Sequence, residues 1–132
     1  MQSDPSENYL KWFIKAGEDQ LSIRAILKEG SPSTGCFLSQ QMAEKYLKGM
    51  LVFYEIEFLK VHDLLDLETL LLNRQPEIGE IHSDLQTLNR YYIETRYPGD
   101  VPEFTMDECK SAFDAALRVK EFVLKKVSAK TL

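Results

Sequence analysis

Apolar residues recur every three or four positions along almost the whole chain, and nowhere do they alternate in the two-residue rhythm of a strand. Tyr9, Trp12, Ala16, Ile23 and Leu27 form the first such stripe, introduced by Asp4-Pro5-Ser6-Glu7. That tetrapeptide has the form of a capping box, with Asp4 at the N-cap, Pro5 at the first helical position and Glu7 able to reach back. The pattern predicts a first helix that Gly30-Ser31-Pro32-Ser33 stops. A second helix is expected from about Thr34 or Gly35 to about Tyr54, with Leu38, Met42, Ala43, Tyr46, Met50 and Phe53 on its widest apolar face. Glu57 to Asp63 lacks helical periodicity and reads as a loop, followed by a short helix, Leu64 to Leu72, with Asp63 as its N-cap. Pro76 opens a fourth helix in which Ile78, Ile81, Leu85, Leu88 and Tyr92 keep the helical period until Pro98-Gly99. A second capping box, Thr105-Met106-Asp107-Glu108, leads into the repeat Cys109, Ala112, Phe113, Ala116, Val119, Val123 and Val127, with Ser128 to Leu132 as a tail.

Short connections between long helices favour antiparallel neighbours. The expected fold is therefore all-α: an antiparallel up-and-down helical bundle of four long helices plus one short helix, with residues 1–132 forming a single domain. A chain of 132 residues can bury a core without disulfides, metals or a cofactor. No cofactor or metal is expected. No apolar run reaches membrane-spanning length, and the N-terminus lacks the basic start and apolar stretch of a secretory signal, so the expectation is a cytoplasmic protein with no membrane partner. Cys36 and Cys109 are far apart in sequence and belong to no zinc-site spacing, which favours buried thiols over a disulfide. A net charge of -5 disfavours non-specific binding to long nucleic acid but leaves room for a small phosphate-bearing ligand in a local basic pocket.

Candidate chemistry starts in the second helix, where Gln41, Glu44, Lys45 and Lys48 interrupt an otherwise apolar sequence at helical spacing. Polar groups on a buried helix must find partners or cost free energy. The stripe reads as an ion-pair network, as a site, or as both. Glu44 and Lys48 are an i, i+4 pair in the favourable order, and Gln41 and Lys45 are their neighbours. Asp19 falls on the first helix's apolar stripe, either at a boundary reaching solvent or in an internal salt bridge. His62-Asp63 places a tunable proton carrier beside a carboxylate, although adjacent residues rarely face each other; Asp63 as a helix cap is the simpler reading. Arg96-Tyr97-Pro98 closes the fourth helix. Arg96 there suits either the helix C-terminus or a phosphate, and the tyrosines around it suit stacking on a base. His82, inside the fourth helix, reads as a packed or surface residue. Glycine-rich phosphate loops, zinc-binding helices and nucleophile elbows are all missing.

Gln40 to Lys48, followed by His62-Asp63-Leu64 and then by Arg96-Tyr97-Pro98, together resemble the HEPN domain family, and the resemblance covers nearly the whole chain. It implies a helical bundle that pairs as a symmetric homodimer, with a cleft between helices as its functional surface. Many relatives are metal-independent ribonucleases, often toxins or defence components; some are paired with a small nucleotidyltransferase, and others are nucleotide-binding proteins or scaffolds. The ribonuclease members carry an arginine followed after four to six residues by a histidine. Here no histidine follows His82, and seven residues, Pro76 and Gly79 among them, separate Arg74 from it. The resemblance thus implies a non-catalytic, dimeric member binding a nucleotide-like ligand, a nucleotidyltransferase partner, or both, in a toxin-antitoxin or defence-type module. Gln41, Glu44, Lys45, Lys48, His62, Asp63, Arg96 and Tyr97 would form its binding surface, with Asp19 as a structural ion pair. The alternative is a divergent metal-independent ribonuclease using His62 and Arg96.

Overall fold

In a computed structural model of the chain, residues 5–92 and 103–131 are described, with side chains described for 8–92 and 103–128. They form α1 (Pro5–Glu29), α2 (Pro32–Phe53), α3 (Leu64–Leu71), a 3₁₀ helix (Pro76–Ile81), α4 (His82–Asn89) and α5 (Met106–Thr131). No strand occurs among the described residues. The expected all-helical bundle is what forms. As its apolar circumference requires, α2 lies at the centre and packs against α1, α3, α4 and α5. Met42, Ala43, Leu47, Met50 and Leu51 on α2 are fully buried, meeting Ala16 and Ile23 of α1 and Ala112, Ala116, Val119 and Val123 of α5 in one core.

Local chemistry sets most element limits. Pro5 opens α1 as expected, whereas Asp4 and the side chain of Glu7 lie outside the described residues. α2 begins at Pro32, two residues before the predicted start, because proline's fixed φ suits the first helical position, where no N–H is needed. Ser33 uses its hydroxyl elsewhere, accepting the Phe104 N–H at 3.0 Å and tying the approach to α5 onto α2. The Thr105 capping box forms as predicted: Glu108 N–H donates to Thr105 Oγ1 at 3.1 Å, and Thr105 N–H to Glu108 Oε1 at 3.4 Å. α5 then continues through Thr131, so the predicted tail is helical over most of its length.

The fourth helical stretch differs from its prediction. It is two pieces, a 3₁₀ helix followed by α4, and it ends at Asn89 instead of continuing towards Pro98-Gly99, which lies outside the described residues. Buried Ile78 and Ile81 stand three apart, and side chains three apart eclipse on one face of a 3₁₀ helix. The same spacing fits an α-helix in sequence. α4 stops where the Asn89 side chain turns aside to accept the Leu64 N–H at 2.9 Å, binding the start of α3 to the end of α4.

α2 ends in a Schellman motif made without glycine. Ile56 N–H donates to Leu51 O at 2.9 Å and Glu55 N–H to Val52 O at 3.0 Å, while Glu55 takes φ 57°. Left-handed backbone costs a side-chain-bearing residue about 1–2 kcal/mol. Glu55→Gly is therefore expected to raise the unfolding free energy by about 1 kcal/mol, measured by urea denaturation; an unchanged or lowered value would show that the Glu55 side chain offsets its backbone strain.

Both thiols are free and buried, as expected, one on α2 and one on α5. Burial pushes Cys36 up to about 12 from 9.0, with Cys109 and Glu108 adding to the rise, and burial also raises Cys109. A folded-state pKa above the unfolded value contributes stability that is complete below pH 9 and lost as pH climbs towards 12. Stability should decline over that window, and the decline should be shallower in Cys36→Ala. Melting temperatures across pH 8 to about 11 would show it; equal slopes in both proteins would contradict it.

Candidate functional site

The polar stripe of α2 divides into two spokes. Gln40, Glu44 and Lys48, spaced four apart, face the loop that precedes α3, while Lys45 turns towards α1. Glu44 is 5% exposed and Lys48 6%, so both charges are essentially out of water. Glu44 is fully engaged: Oε2 accepts from Lys48 Nζ at 3.0 Å and lies 3.2 Å from His62 Nδ1, and Oε1 accepts from Gln40 Nε2 at 3.2 Å. Gln41 donates in turn to Gln40 Oε1 at 2.7 Å. The Lys48 ammonium also lies 5.7 Å from the ring centroids of both Trp12 and Phe58. Two aromatic faces and one carboxylate thus replace the water that Lys48 loses.

Lys45 donates to Asp19 at 2.6 Å, which resolves Asp19 as an internal ion pair between α1 and α2. This pair is partly open to solvent, with the two side chains 25% and 14% exposed.

His62 is the accessible member of the cluster. Its side chain is 40% exposed, and its ring stacks on Tyr92 at 5.4 Å with planes 14° apart. With Nδ1 directed at a buried carboxylate, the tautomer that donates from Nδ1 leaves Nε2 as the ring's acceptor. Three elements hold this ring. α2 supplies Glu44; the start of α3 fixes the following residue, because Asp63 Oδ1 accepts the Leu65 and Asp66 N–H groups at 2.9 and 3.2 Å; and Tyr92 follows α4, which Asn89 locks to Leu64. Asp63 is thereby the N-cap of α3, the simpler of its two sequence readings.

Of the residues singled out from sequence, Gln41, Glu44, Lys48 and His62 come together, Lys45 and Asp19 pair beside them, and Asp63 caps α3. Arg96 and Tyr97 lie outside the described residues. Sequence reasoning missed Gln40, although its spacing of four from Glu44 and eight from Lys48 marks it as the same spoke. It missed the Trp12 and Phe58 rings around Lys48. It also missed a second buried carboxylate under a histidine: His82 Nδ1 lies 2.7 Å from Glu68 Oε1, with Glu68 6% exposed. The signal was Glu68 itself, four residues after Leu64 on the apolar face of α3. Elsewhere, a shallow groove of about 400 Å³ between the 3₁₀ helix, α4 and α5 is lined by acid-base pairs, Arg118 with Asp84 at 2.9 Å and Lys126 with Glu77. It does not touch the α2 spokes. Among the described residues no three His, Cys, Asp or Glu side chains are placed to hold a metal ion, and no helix is long and apolar enough to cross a membrane.

Comparison with known proteins identifies the family of this five-helix bundle. The HEPN domain profile matches residues 9–127, and the chain belongs to the HEPN domain family. Two solved structures are similar to it. An archaeal HEPN homologue, ST0689, is 27% identical with a TM-score of 0.74, the match covering 90% of this chain and 97% of that one. TT1696 from Thermus thermophilus is 28% identical with a TM-score of 0.76, covering 92% of this chain and 98% of the other. None of the curated proteins matches.

Proposed function

We propose that this HEPN protein is a non-catalytic binding module whose recognition surface is the His62–Tyr92 edge of the bundle, taking a nucleotide-like ligand. The observation that carries the reading is the stack of His62 on Tyr92 above a carboxylate that is already neutralised. Lys48 and Glu44 consume each other's charge, as do Lys45 and Asp19. The buried network therefore works as a rigid footing, while the exposed imidazole, stacked on the half-buried phenol, offers a flat π-surface and a ring nitrogen. Arg96, four residues after Tyr92 in sequence, supplies the guanidinium suited to phosphate. A small nucleotidyltransferase is the partner in this reading, within a toxin-antitoxin or defence-type module of the cytoplasm.

The second reading, a divergent metal-independent ribonuclease, is favoured by one contact, Glu44 orienting His62 so that Nε2 can act as a base. One experiment separates the two. Calorimetric titration with mononucleotides and a short RNA, alongside incubation of labelled RNA in chelator, is run on wild type, His62→Ala and Arg96→Ala. Binding that weakens roughly tenfold in both variants while the RNA stays intact is the expected result. Cleavage abolished by either substitution would install the ribonuclease instead, and absence of binding to every nucleotide would end the ligand reading.

A further inference from the structure

Glu68 is a buried carboxylate that the His62 edge does not use. It is 6% exposed on α3, among buried Leu64, Leu67 and Leu71, and His82 is its one charge partner among the described residues. Burying an ionised acid costs free energy that an apolar residue in its place would not. Holding α3 to α4 does not account for it, since Asn89 already joins the two through the Leu64 N–H. What Glu68 does is hold one edge of an imidazole. His82 Nδ1 lies 2.7 Å from Glu68 Oε1, and the tautomer that donates there leaves Nε2 as an acceptor with no partner among the described residues. The His82 side chain is 48% exposed. Gly79 accepts the His82 N–H from three residues earlier, in a 3₁₀ turn where side chains three apart eclipse. It has no side chain, and a Cβ there would meet nothing within 4 Å, so this turn leaves open space beside the imidazole.

We propose that His82 is a phosphoryl acceptor, taking a phosphoryl group onto Nε2 from a phosphoramidate-type donor, in which phosphorus is bound to a protonated nitrogen. In the step the Nε2 lone pair forms the new N–P bond while the donor's P–N bond breaks, and its electron pair leaves with the nitrogen as a neutral amine. The imidazole that now carries the phosphoryl group is cationic, with its proton still on Nδ1. Glu68 lies against that proton, so its carboxylate offsets the charge as it forms. His62 supplies the contrast. It too has Nδ1 on a buried glutamate, at a comparable 40% exposure, but the same Glu44 oxygen accepts the Lys48 ammonium at 3.0 Å. An imidazolium at His62 would share one oxygen with an ammonium, whereas one at His82 would form against an unshared carboxylate. The proposal concerns α3 and the start of α4, and holds whether or not the His62 edge binds a nucleotide.

Incubation of the full chain with potassium phosphoramidate, followed by mass spectrometry of the intact protein and its peptides, tests it, with circular dichroism confirming that each variant is folded. One phosphoryl group should appear on His82, lost in acid and kept in alkali as an N–P bond requires, and roughly tenfold faster than on His62. Glu68→Gln keeps an acceptor for Nδ1 but removes the charge, and should slow the reaction at His82 roughly tenfold while the rate at His62 stays as it is. A Glu68 that only held the helices together would leave the ratio of the two rates unchanged, or raise it as the His82 ring loosened. Equal rates at the two histidines, an undiminished rate at His82 in Glu68→Gln, or no transfer to either ring would each overturn the proposal.

Discussion

Glu44→Ala should lower the unfolding free energy by about 3–5 kcal/mol, because it leaves a buried ammonium without its counter-charge. Lys48 is 6% exposed and cannot reach water without dragging the helix outward. His62 Nδ1 loses its acceptor in the same step, and Gln40 Nε2 is left with the His62 carbonyl alone, at 3.5 Å. The Trp12 and Phe58 rings remain, but cation–π attraction of about 0.5–2 kcal/mol is smaller than the cost of an unpaired buried charge. Removing both charges is a different matter. Glu44→Met combined with Lys48→Met also abolishes the desolvation cost, so the double variant should be near wild type or more stable. Urea denaturation of the three proteins decides it. A loss below about 1 kcal/mol in Glu44→Ala would mean that the pair behaves as a surface ion pair, contrary to its burial.

The crossing of α1 over α2 predicts the second large effect. A Cβ at Gly49 would lie 2.4 Å from Phe13 Cε1 and 3.2 Å from Trp12 Cβ. Alanine would ordinarily stabilise a helix by about 1 kcal/mol relative to glycine. Here that gain opposes an overpacking cost of about 1–3 kcal/mol, and the Phe13 ring has little room to retreat, wedged against Tyr9 and Tyr46. Gly49→Ala should therefore be destabilising by up to about 2 kcal/mol, and Gly49→Leu by more. In a Phe13→Ala background the alanine at 49 should cost nothing or stabilise, since two contacting sites are not additive. Thermal unfolding of the four alanine-cycle proteins gives the answer; additive losses would show that Gly49 is not where the two helices touch.

Most of the fold was legible because its punctuation is local. Pro5, Asp63 and the Thr105-Glu108 box act on backbone groups within a turn of themselves, so their effect can be read without knowing the tertiary structure. The 76–89 stretch was not legible in the same way, since Ile78 and Ile81 are spaced for either helix type and the choice rests on burial against neighbours. Within the site, Glu44–Lys48 could be read from spacing inside one helix, whereas a carboxylate on an apolar stripe allowed Asp19 either solvent or a salt bridge and did not name Lys45 as its partner. The junction of His62 with Glu44 depends on the path of a loop, and that of His82 with Glu68 on the packing of α3 against α4; no local pattern encodes either.

The central claim is that the His62–Tyr92 edge receives a nucleotide-like ligand without cleaving RNA. The chain has two histidines, each with Nδ1 on a buried glutamate, and only His62 stacks on Tyr92, so the molecule contains its own control. Imidazole resonances recorded by NMR during titration with a mononucleotide, and then with a short RNA in chelator, test the claim most directly. The account predicts saturable shifts at His62, none at His82, and an RNA of unchanged length. Equal or absent shifts at the two rings, or RNA that is cut while His62 is intact and spared in His62→Ala, would contradict it.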